Sequence, residues 1–384
     1  MSKNSFCSHV SECGGCTLQQ LPYEEQLRQK QAVIDHLFPM AQPIVPCQNP
    51  WHYRNKMEFS FSQNKAGEKY LGLILRSSRG KVFNLHECLL APPWMAETLQ
   101  RVKAWWDSTD IPAFHFHRGT GTLRTLTLRE GRRTGDRLAL LTVSGDPQYA
   151  LTRSQLNGFL KALDDPTMST FLRVQQCIPK NPTQFFEMHL SGPDHIREEL
   201  HLQGKTLTFK ISPSSFFQPN TEQAELLYTQ ALAMTPPAAL VYDLYSGTAT
   251  LGMAFALQAQ KVIAIELNPY AVFDARINAE QNQISNITIE CGDVGKLLST
   301  LPETPDLVIV DPPRPGLDSL ALEHLQRLNP PHILYISCNP TTQAKNIAEL
   351  THYTPQQVQP VDQFPHTSHI ENIVLLACST PFQA

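Results

Sequence analysis

The sequence predicts an α/β protein whose carboxy-terminal half is a doubly wound, mostly parallel sheet. From about residue 239, short apolar runs alternate with stretches of helical spacing, and turns rich in Gly, Pro, Asn and Asp separate them. A second observation, a crowd of cysteines at the amino terminus, predicts a separate metal-binding segment.

LVYDLYSG reads as a buried strand entering a turn, and ATLGMAFALQAQ as the helix after it. KVIAIEL is the second strand, followed by a helix over NPYAVFDARINAEQNQ with Asn268 as cap and Pro269 at its first position. NITIECGD, DLVIVDPP and ILYIS are the third to fifth strands, and ENIVLLAC is a late one. Such sheets bind ligands beyond the carboxyl ends of their strands. There the sequence offers the small-residue turn from Gly247 to Gly252, Glu266 closing the second strand, and Asp293 closing the third. Glu266 can accept hydrogen bonds from ribose hydroxyls, or can simply be an exposed strand end, and Asp293 can meet an adenine amino group. Two strand-end acids fit a nucleoside cofactor without a pyrophosphate, which favours S-adenosylmethionine over NAD. Asp311-Pro312-Pro313-Arg314 closes the fourth strand, where two prolines stiffen the loop and remove two backbone donors. Methyltransferases of exocyclic amines carry an aromatic residue where Arg314 stands, so amine methylation is disfavoured.

The 384 residues suffice for two or three domains, and 41% hydrophobic with 17% charged residues is ordinary globular composition. No run approaches the roughly 18 apolar residues of a spanning helix. MSKNSFCSHV lacks the basic and apolar regions of a secretory leader, so no membrane and a cytoplasmic location are expected. A net charge of −4 excludes a uniformly basic protein but not a basic patch. Residues 118 to 137 hold six Arg against one Glu and one Asp, either an RNA contact or a solvated strand pair with a charged turn.

Three of the nine cysteines, Cys7, Cys13 and Cys16, form C-x5-C-x2-C. Gly14 and Gly15 let the chain fold tightly enough for the last two sulfurs to face one centre. A reducing compartment disfavours disulfides, so a metal is the natural reading. Cys88 in NLHECLLAP is the best fourth ligand and Cys47 its rival. Zinc and an iron–sulfur cluster both accept four cysteines, and three-plus-one spacing leans towards the cluster.

Cys338 ends the fifth strand at Asn339-Pro340. By habit a free Cys is buried core, yet this one should emerge beside Asp311 and the cofactor's methyl. Carbon 5 of uracil is too poor a nucleophile to take a methyl directly. A thiolate adding to carbon 6 would make carbon 5 nucleophilic, and a base must then remove the carbon 5 proton. Glu371, opening the last strand in DQFPHTSHIENIVLL, can be that base. An unperturbed thiol is largely protonated at neutral pH, so local donors are expected to assist it. His366 and His369 are candidates for that task, or are structural turn residues.

Gln218 in SSFFQPN, then DLYSG, DPPRPG, SCNP and FPHTSHIE, occur in the order of the RNA uracil-5-methyltransferases. With the leading cysteines and HECLLAP, the chain resembles their iron–sulfur, 23S ribosomal RNA branch, in the short form without the amino-terminal β-barrel (TRAM) domain. The resemblance implies a class I S-adenosylmethionine-dependent methyltransferase fold, an amino-terminal iron–sulfur segment and an α+β central RNA-binding domain. It implies Cys338 as nucleophile, Glu371 as base, and Gln218, Tyr245, Thr250, Glu266, Asp293 and Asp311 around S-adenosylmethionine. It also implies a [4Fe–4S] cluster on Cys7, Cys13, Cys16 and Cys88. The expected divisions are 1–46 for the cysteine segment, 47–205 for the central domain and 206–384 for the catalytic domain, in a monomer. Transfer RNA as substrate, and a non-catalytic RNA-binding or ribosome-assembly protein, are the competing expectations. Ala249 departs from the family's second turn glycine, which matters if that position needs positive φ.

Overall fold

The computed structural model describes residues 6–177, 181–301 and 303–379. Its contacts form two compact units, Met1–Gln20 with Asn49–Glu198, and Leu21–Gln48 with Glu199–Ala384. The expected segment 1–46 is therefore divided. Residues 21–48 join the carboxy-terminal unit because helix α1 (Tyr23–Leu37) and the Phe38 that follows it bury Ile34 and Phe38 in that unit's core.

The first unit contains β1 (Lys56–Gln63), β2 (Lys69–Gly72), α2 (Pro93–Asp107), β3 (Leu123–Glu130), β4 (Arg137–Ser144), α3 (Arg153–Leu163), β5 (Ser169–Gln176) and β6 (Gln184–Ser191). The strands make one sheet in the order β2-β1-β3-β4-β5-β6. Every neighbouring pair is antiparallel save β4–β5, which α3 connects as a crossover. Alternating apolar residues explain the packing: Phe59, Leu126 and Leu141 face Met95, Leu99 and Trp106 of α2 and Phe159 of α3. Each such side chain stabilises the fold by about 1.5–3 kcal/mol on burial.

The arginine-rich run spans the β3–β4 hairpin, and its arginines range from the buried Arg129 to the exposed Arg118 and Arg133. Arg129 is only 2% exposed. Arg124 stacks 3.5 Å from the Phe114 ring, and Arg137 lies 4.8 Å over Trp94 and 3.6 Å from Asp165. Partners within the unit thus engage Arg124 and Arg137.

β7 (Ile196–Leu202) and β8 (Lys205–Ile211) form a separate ribbon. Then follow α4 (Thr221–Met234), β9 (Leu240–Leu244), α5 (Thr250–Ala256), β10 (Lys261–Glu266), α6 (Pro269–Gln281) and β11 (Ile287–Cys291). The chain continues through α7 (Val294–Leu297), β12 (Leu307–Val310), α8 (Ser319–Leu328), β13 (His332–Ser337), α9 (Pro340–Glu349), β14 (Tyr353–Val361) and β15 (Glu371–Cys378). The sheet order is β11-β10-β9-β12-β13-β15-β14. Its first five strands are parallel, and β15 runs antiparallel to both neighbours. β9 and β12 are buried throughout, as strands covered on both faces must be. All six strands read from the sequence are present, whereas α5 stops at Ala256, short of the expected length. β14 escaped notice because Pro355 and Pro360 interrupt it, which an edge strand with a bulge near Pro355 tolerates. No helix among the described residues is long and apolar enough to cross a membrane.

The loop after β12 depends on one glycine. Gly316 has φ 86°, and a Cβ there would lie 2.4 Å from Asn346 Oδ1. That oxygen accepts from Leu317 N at 2.9 Å and from the Tyr335 hydroxyl at 2.8 Å. Gly316→Ala is expected to lower stability by about 2 kcal/mol through strain and displaced Asn346. The measurement is urea unfolding, with a lower midpoint and unchanged slope.

Candidate functional site

Parallel register gathers the strand ends of the second unit. Leu244 lies level with Ile265 and with Val310, and Val310 with Tyr335. Tyr245, Glu266, Asp311 and, a little further along, Cys338 therefore leave one edge of the sheet. The antiparallel pairing of Ser337 with Asn372 brings β15 in from that same edge. One step beyond that pair, Cys338 and Glu371 stand opposite each other.

A turn fixes the cysteine. Ser337 Oγ accepts from Asn339 N at 3.0 Å, and Asn339 Oδ1 caps α9 by accepting from Thr342 N at 3.4 Å. Cys338 is half-buried. Burial raises its thiol pKa first, and the negative charges of Glu371 and Asp311 raise it further; the Arg314 guanidinium, hydrogen-bonded to the sulfur, acts the other way. Glu371 is 5% exposed, and burial with the neighbouring Asp311 holds its carboxyl well above the ordinary range, again opposed by Arg314. Asp311 is raised by burial as well. One cation therefore serves a thiol and a carboxyl that each disfavour the other's charge.

Arg314 also approaches His369 Nε2 at 3.3 Å, and its carbonyl accepts from Asn339 Nδ2 at 3.2 Å. Of the two histidines expected to tune the thiol, His369 reaches it through Arg314. His366 does not: it is buried in a left-handed turn (φ 66°) and bonded to Gln26. Sequence reading used Arg314 only to exclude a chemistry and missed its contact, which arises from folding of the loop.

The six residues expected around the cofactor line this edge. Glu266 accepts from Gly247 N at 2.8 Å and Asn268 N at 2.7 Å, so it shapes the turn that a ligand would approach. Thr250 shares a 3.0 Å hydrogen bond with Thr248, and Asp293 caps α7 through Lys296 N at 3.1 Å. Tyr245 adopts φ 62°, with its hydroxyl pushed up to about 12 by burial and then by Asp318 and Asp293. Gln218, buried, receives Gln363 Nε2 at 3.4 Å and hydrogen-bonds the Tyr228 hydroxyl. Ala249 does sit at positive φ, 54°, so alanine carries about 1 kcal/mol of strain relative to glycine.

Two further side chains belong here. Asp243 is buried, pushed up to about 8 by burial and by Asp311 and Glu266, against one hydrogen bond from Gly252 N. A Cβ on Gly252 would come within 2.6 Å of its Oδ2, so this second glycine is required by close approach. Tyr228, on α4, lies in the field of Asp311, Asp243 and Glu371, with its hydroxyl raised mainly by burial. A lone Tyr at helical spacing gives no sequence signal, and nothing in LVYDLYSG singles out Asp243. A cavity of about 440 Å³ lined by Lys205, Ala256, Asn282 and Asn286 lies at the other end of the strands and holds none of these groups.

In the first unit, Cys7 and Cys13 are buried and Cys16 and Cys88 half-buried. Burial raises all four thiols, Cys16 to about 12; Cys13, Cys16 and Cys88 also feel the charge of others of the set, and Cys7 that of Glu87. Backbone amides address the sulfurs: His9 and Leu89 at Cys7, Leu90 and Ala91 at Cys88, and Gly15 at Cys13 at 3.3 Å. Arg76 pins the loop by donating to the Cys16 carbonyl at 2.5 Å and the Cys13 carbonyl at 3.4 Å. No group of three or more His, Cys, Asp or Glu among the described residues is set to hold a single metal ion. The donor set, four cysteine sulfurs with amide donors at three of them, has the chemistry that a thiolate-held cationic group would need. Cys47, the rival ligand, lies in the second unit, where Asn220 Nδ2 approaches its sulfur at 3.7 Å.

A model of the tRNA (uracil-5-)-methyltransferase family matches residues 180–292 and 303–379. An RNA methyltransferase of Protochlamydia amoebophila (strain UWE25) is 52% identical over 401 residues, spanning 97% of this chain and 90% of that protein. Another from Chlamydia muridarum is 35% identical, spanning 96% and 97%. Among solved structures, the Pyrococcus abyssi tRNA (uracil-54, C5)-methyltransferase in complex with S-adenosyl-L-homocysteine matches with TM-score 0.74 and 26% identity. The match covers 95% of this chain and 86% of that one.

Removing the cation beside Cys338 should raise the thiol pKa further. Site-resolved alkylation of Cys338 against pH is expected to reach half its maximal rate about one pH unit higher in Arg314→Ala. Glu371→Gln withdraws a negative charge and should move the profile down. An unmoved profile in Arg314→Ala would show that the guanidinium does not act on the sulfur.

Proposed function

Because the chain belongs to the RNA uracil-5-methyltransferase family and is an S-adenosylmethionine-dependent enzyme of class I methyltransferase fold, we propose that it methylates carbon 5 of a specific uridine in 23S ribosomal RNA. The observation that carries this reading is the meeting of Cys338, Glu371 and Arg314 at the sheet's carboxyl edge. Gln218, Tyr245, Thr250, Glu266, Asp293 and Asp311 would hold S-adenosylmethionine, which supplies an electrophilic methyl when bound.

The Cys338 thiolate, favoured by Arg314, forms a bond to carbon 6 of the flipped uracil, and the displaced π electrons pass to the carbon 4 oxygen as an enolate. Carbon 5 thereby becomes nucleophilic and takes the methyl, as the carbon 4 carbonyl re-forms and the methyl–sulfonium bond breaks to leave a neutral thioether. Glu371 accepts the carbon 5 proton, the ring double bond re-forms, and the carbon–sulfur bond breaks to return Cys338 as thiolate. Burial and Asp311 raise the carboxyl, which makes it a stronger base than an ordinary carboxylate once ionised.

The first unit is assigned to RNA binding, in a cytoplasmic enzyme. Cys7, Cys13, Cys16 and Cys88 would hold a [4Fe–4S] cluster, whose iron core offsets the mutual repulsion of four thiolates. The cysteine segment favours ribosomal RNA as substrate. Transfer RNA is the second reading, favoured by the solved structure named above for tRNA uracil 54, which matches nearly the whole chain.

Labelled S-adenosylmethionine, with 23S and transfer RNA from cells lacking the gene, tests the substrate through nucleoside mass spectrometry. The expected product is 5-methyluridine in 23S RNA, abolished in Cys338→Ala. Label confined to transfer RNA would establish the second reading, and no product with either RNA would favour a non-catalytic assembly role. For the cysteines, Cys88→Ser is expected to lose bound iron and the visible charge-transfer absorption measured on anaerobically purified protein. Iron content unchanged from wild type would remove Cys88 from the ligand set.

A further inference from the structure

Helix α1 turns polar side chains inward. Gln26 is 0% and Lys30 2% exposed, on the face that also carries Tyr23. All three grip the loop between Val361 of β14 and Glu371 of β15. Lys30 Nζ donates to Asp362 Oδ1 at 2.5 Å and to the Phe364 carbonyl at 3.1 Å. The Tyr23 hydroxyl donates to Asp362 Oδ2 at 2.7 Å and accepts from Cys47 N at 2.7 Å. Gln26 Oε1 accepts from His366 N at 2.9 Å while its Nε2 meets His366 Nδ1 at 3.1 Å. The gripped residue holds φ 66°, a left-handed conformation uncommon outside glycine.

Apolar side chains on that face would stabilise the helix at least as well, because a buried ion pair hardly recovers its desolvation. What the polar set adds is a fixed loop path. One end of the loop is closed by the pairing of Val361 with Glu371, and near the same end His369 reaches Arg314, whose guanidinium bonds the Cys338 sulfur. Cys338 itself is fixed separately, by the Ser337–Asn339 turn and α9.

We infer that Tyr23, Gln26 and Lys30 are positioning residues that hold the catalytic loop so that Glu371 meets the carbon 5 proton. The inference rests on the roles proposed above for Cys338 and Glu371. A slackened loop displaces Glu371 more than Cys338, so addition and methyl transfer proceed while proton removal stalls. The carbon 5 proton stays in place, the carbon–sulfur bond remains intact, and the enzyme stays covalently joined to methylated RNA.

The test uses the full chain as Gln26→Leu, Lys30→Met and Lys30→Arg, with Glu371→Gln as reference. The RNA is whichever of 23S or transfer RNA takes label with wild type. Single-turnover methyl incorporation, steady-state turnover and protein–RNA adduct on denaturing gels are measured on variants whose circular dichroism shows a folded chain. In Gln26→Leu and Lys30→Met, turnover is expected to fall about tenfold or more, single-turnover incorporation less than about threefold, and adduct to accumulate as in Glu371→Gln. Lys30→Arg should recover part of the turnover. If Gln26→Leu does not fold, His366→Asn withdraws the ring yet tolerates the left-handed turn, and carries the same expectation. Unchanged turnover, or turnover and incorporation falling together without adduct, would overturn the inference. Adduct in Glu371→Gln alone overturns the positioning role only; its absence there overturns Glu371 as base, and the inference with it.

Discussion

In a parallel ladder every strand must end on the same side, and the proposed chemistry depends on that constraint. β10, β9, β12 and β13 are paired so that Glu266, Tyr245, Asp311 and Cys338 leave the sheet within a few residues of one another. A group at the start of a strand can join them only if that strand runs the other way. β15 does so, and its first residue is Glu371. The proposed nucleophile and base therefore lie at the ends of adjacent antiparallel strands.

Gathering these groups has an electrostatic consequence. Asp243, Asp311, Glu371 and Cys338 all lose hydration, and all are displaced toward their protonated forms. For carboxyls raised in this way the folded chain retains protons that the unfolded chain releases. The edge therefore destabilises the fold increasingly as pH rises from the ordinary carboxylate range through the folded values. Arg314 is the counterweight, and its placement against both Cys338 and His369 follows from the stiff Pro312-Pro313 loop and the turn at Gly316.

The same logic recurs in the first unit. Four thiols share a small volume whose own charges disfavour ionisation, and amide dipoles with the Arg76 clamp hold the chain that brings them there. The proposed cluster would supply the positive centre that favours the thiolate forms. In the second unit a polar helix face does for a loop what the amide ring does for the sulfurs, by fixing backbone through buried hydrogen bonds.

The sequence by itself determined the parallel sheet, since continuous apolar runs such as DLVIV and ILYIS are legible only as strands covered on both faces. It also determined the cap at Asn268 and the strand-end positions of Glu266, Asp311, Cys338 and Glu371, because these depend on local periodicity. Only the tertiary structure decided that Arg314, not His366, touches the thiol's surroundings, that Tyr228 and Asp243 join the carboxyl cluster, and that β14 closes the sheet edge. It also decided that Arg124 and Arg137 pack on aromatic rings of their own unit, and that α1 belongs with the catalytic sheet. Those features rest on pairings between residues tens to hundreds of positions apart, such as Lys30 with Asp362. Local propensity carries no record of such pairs, since each partner alone reads as an ordinary surface residue.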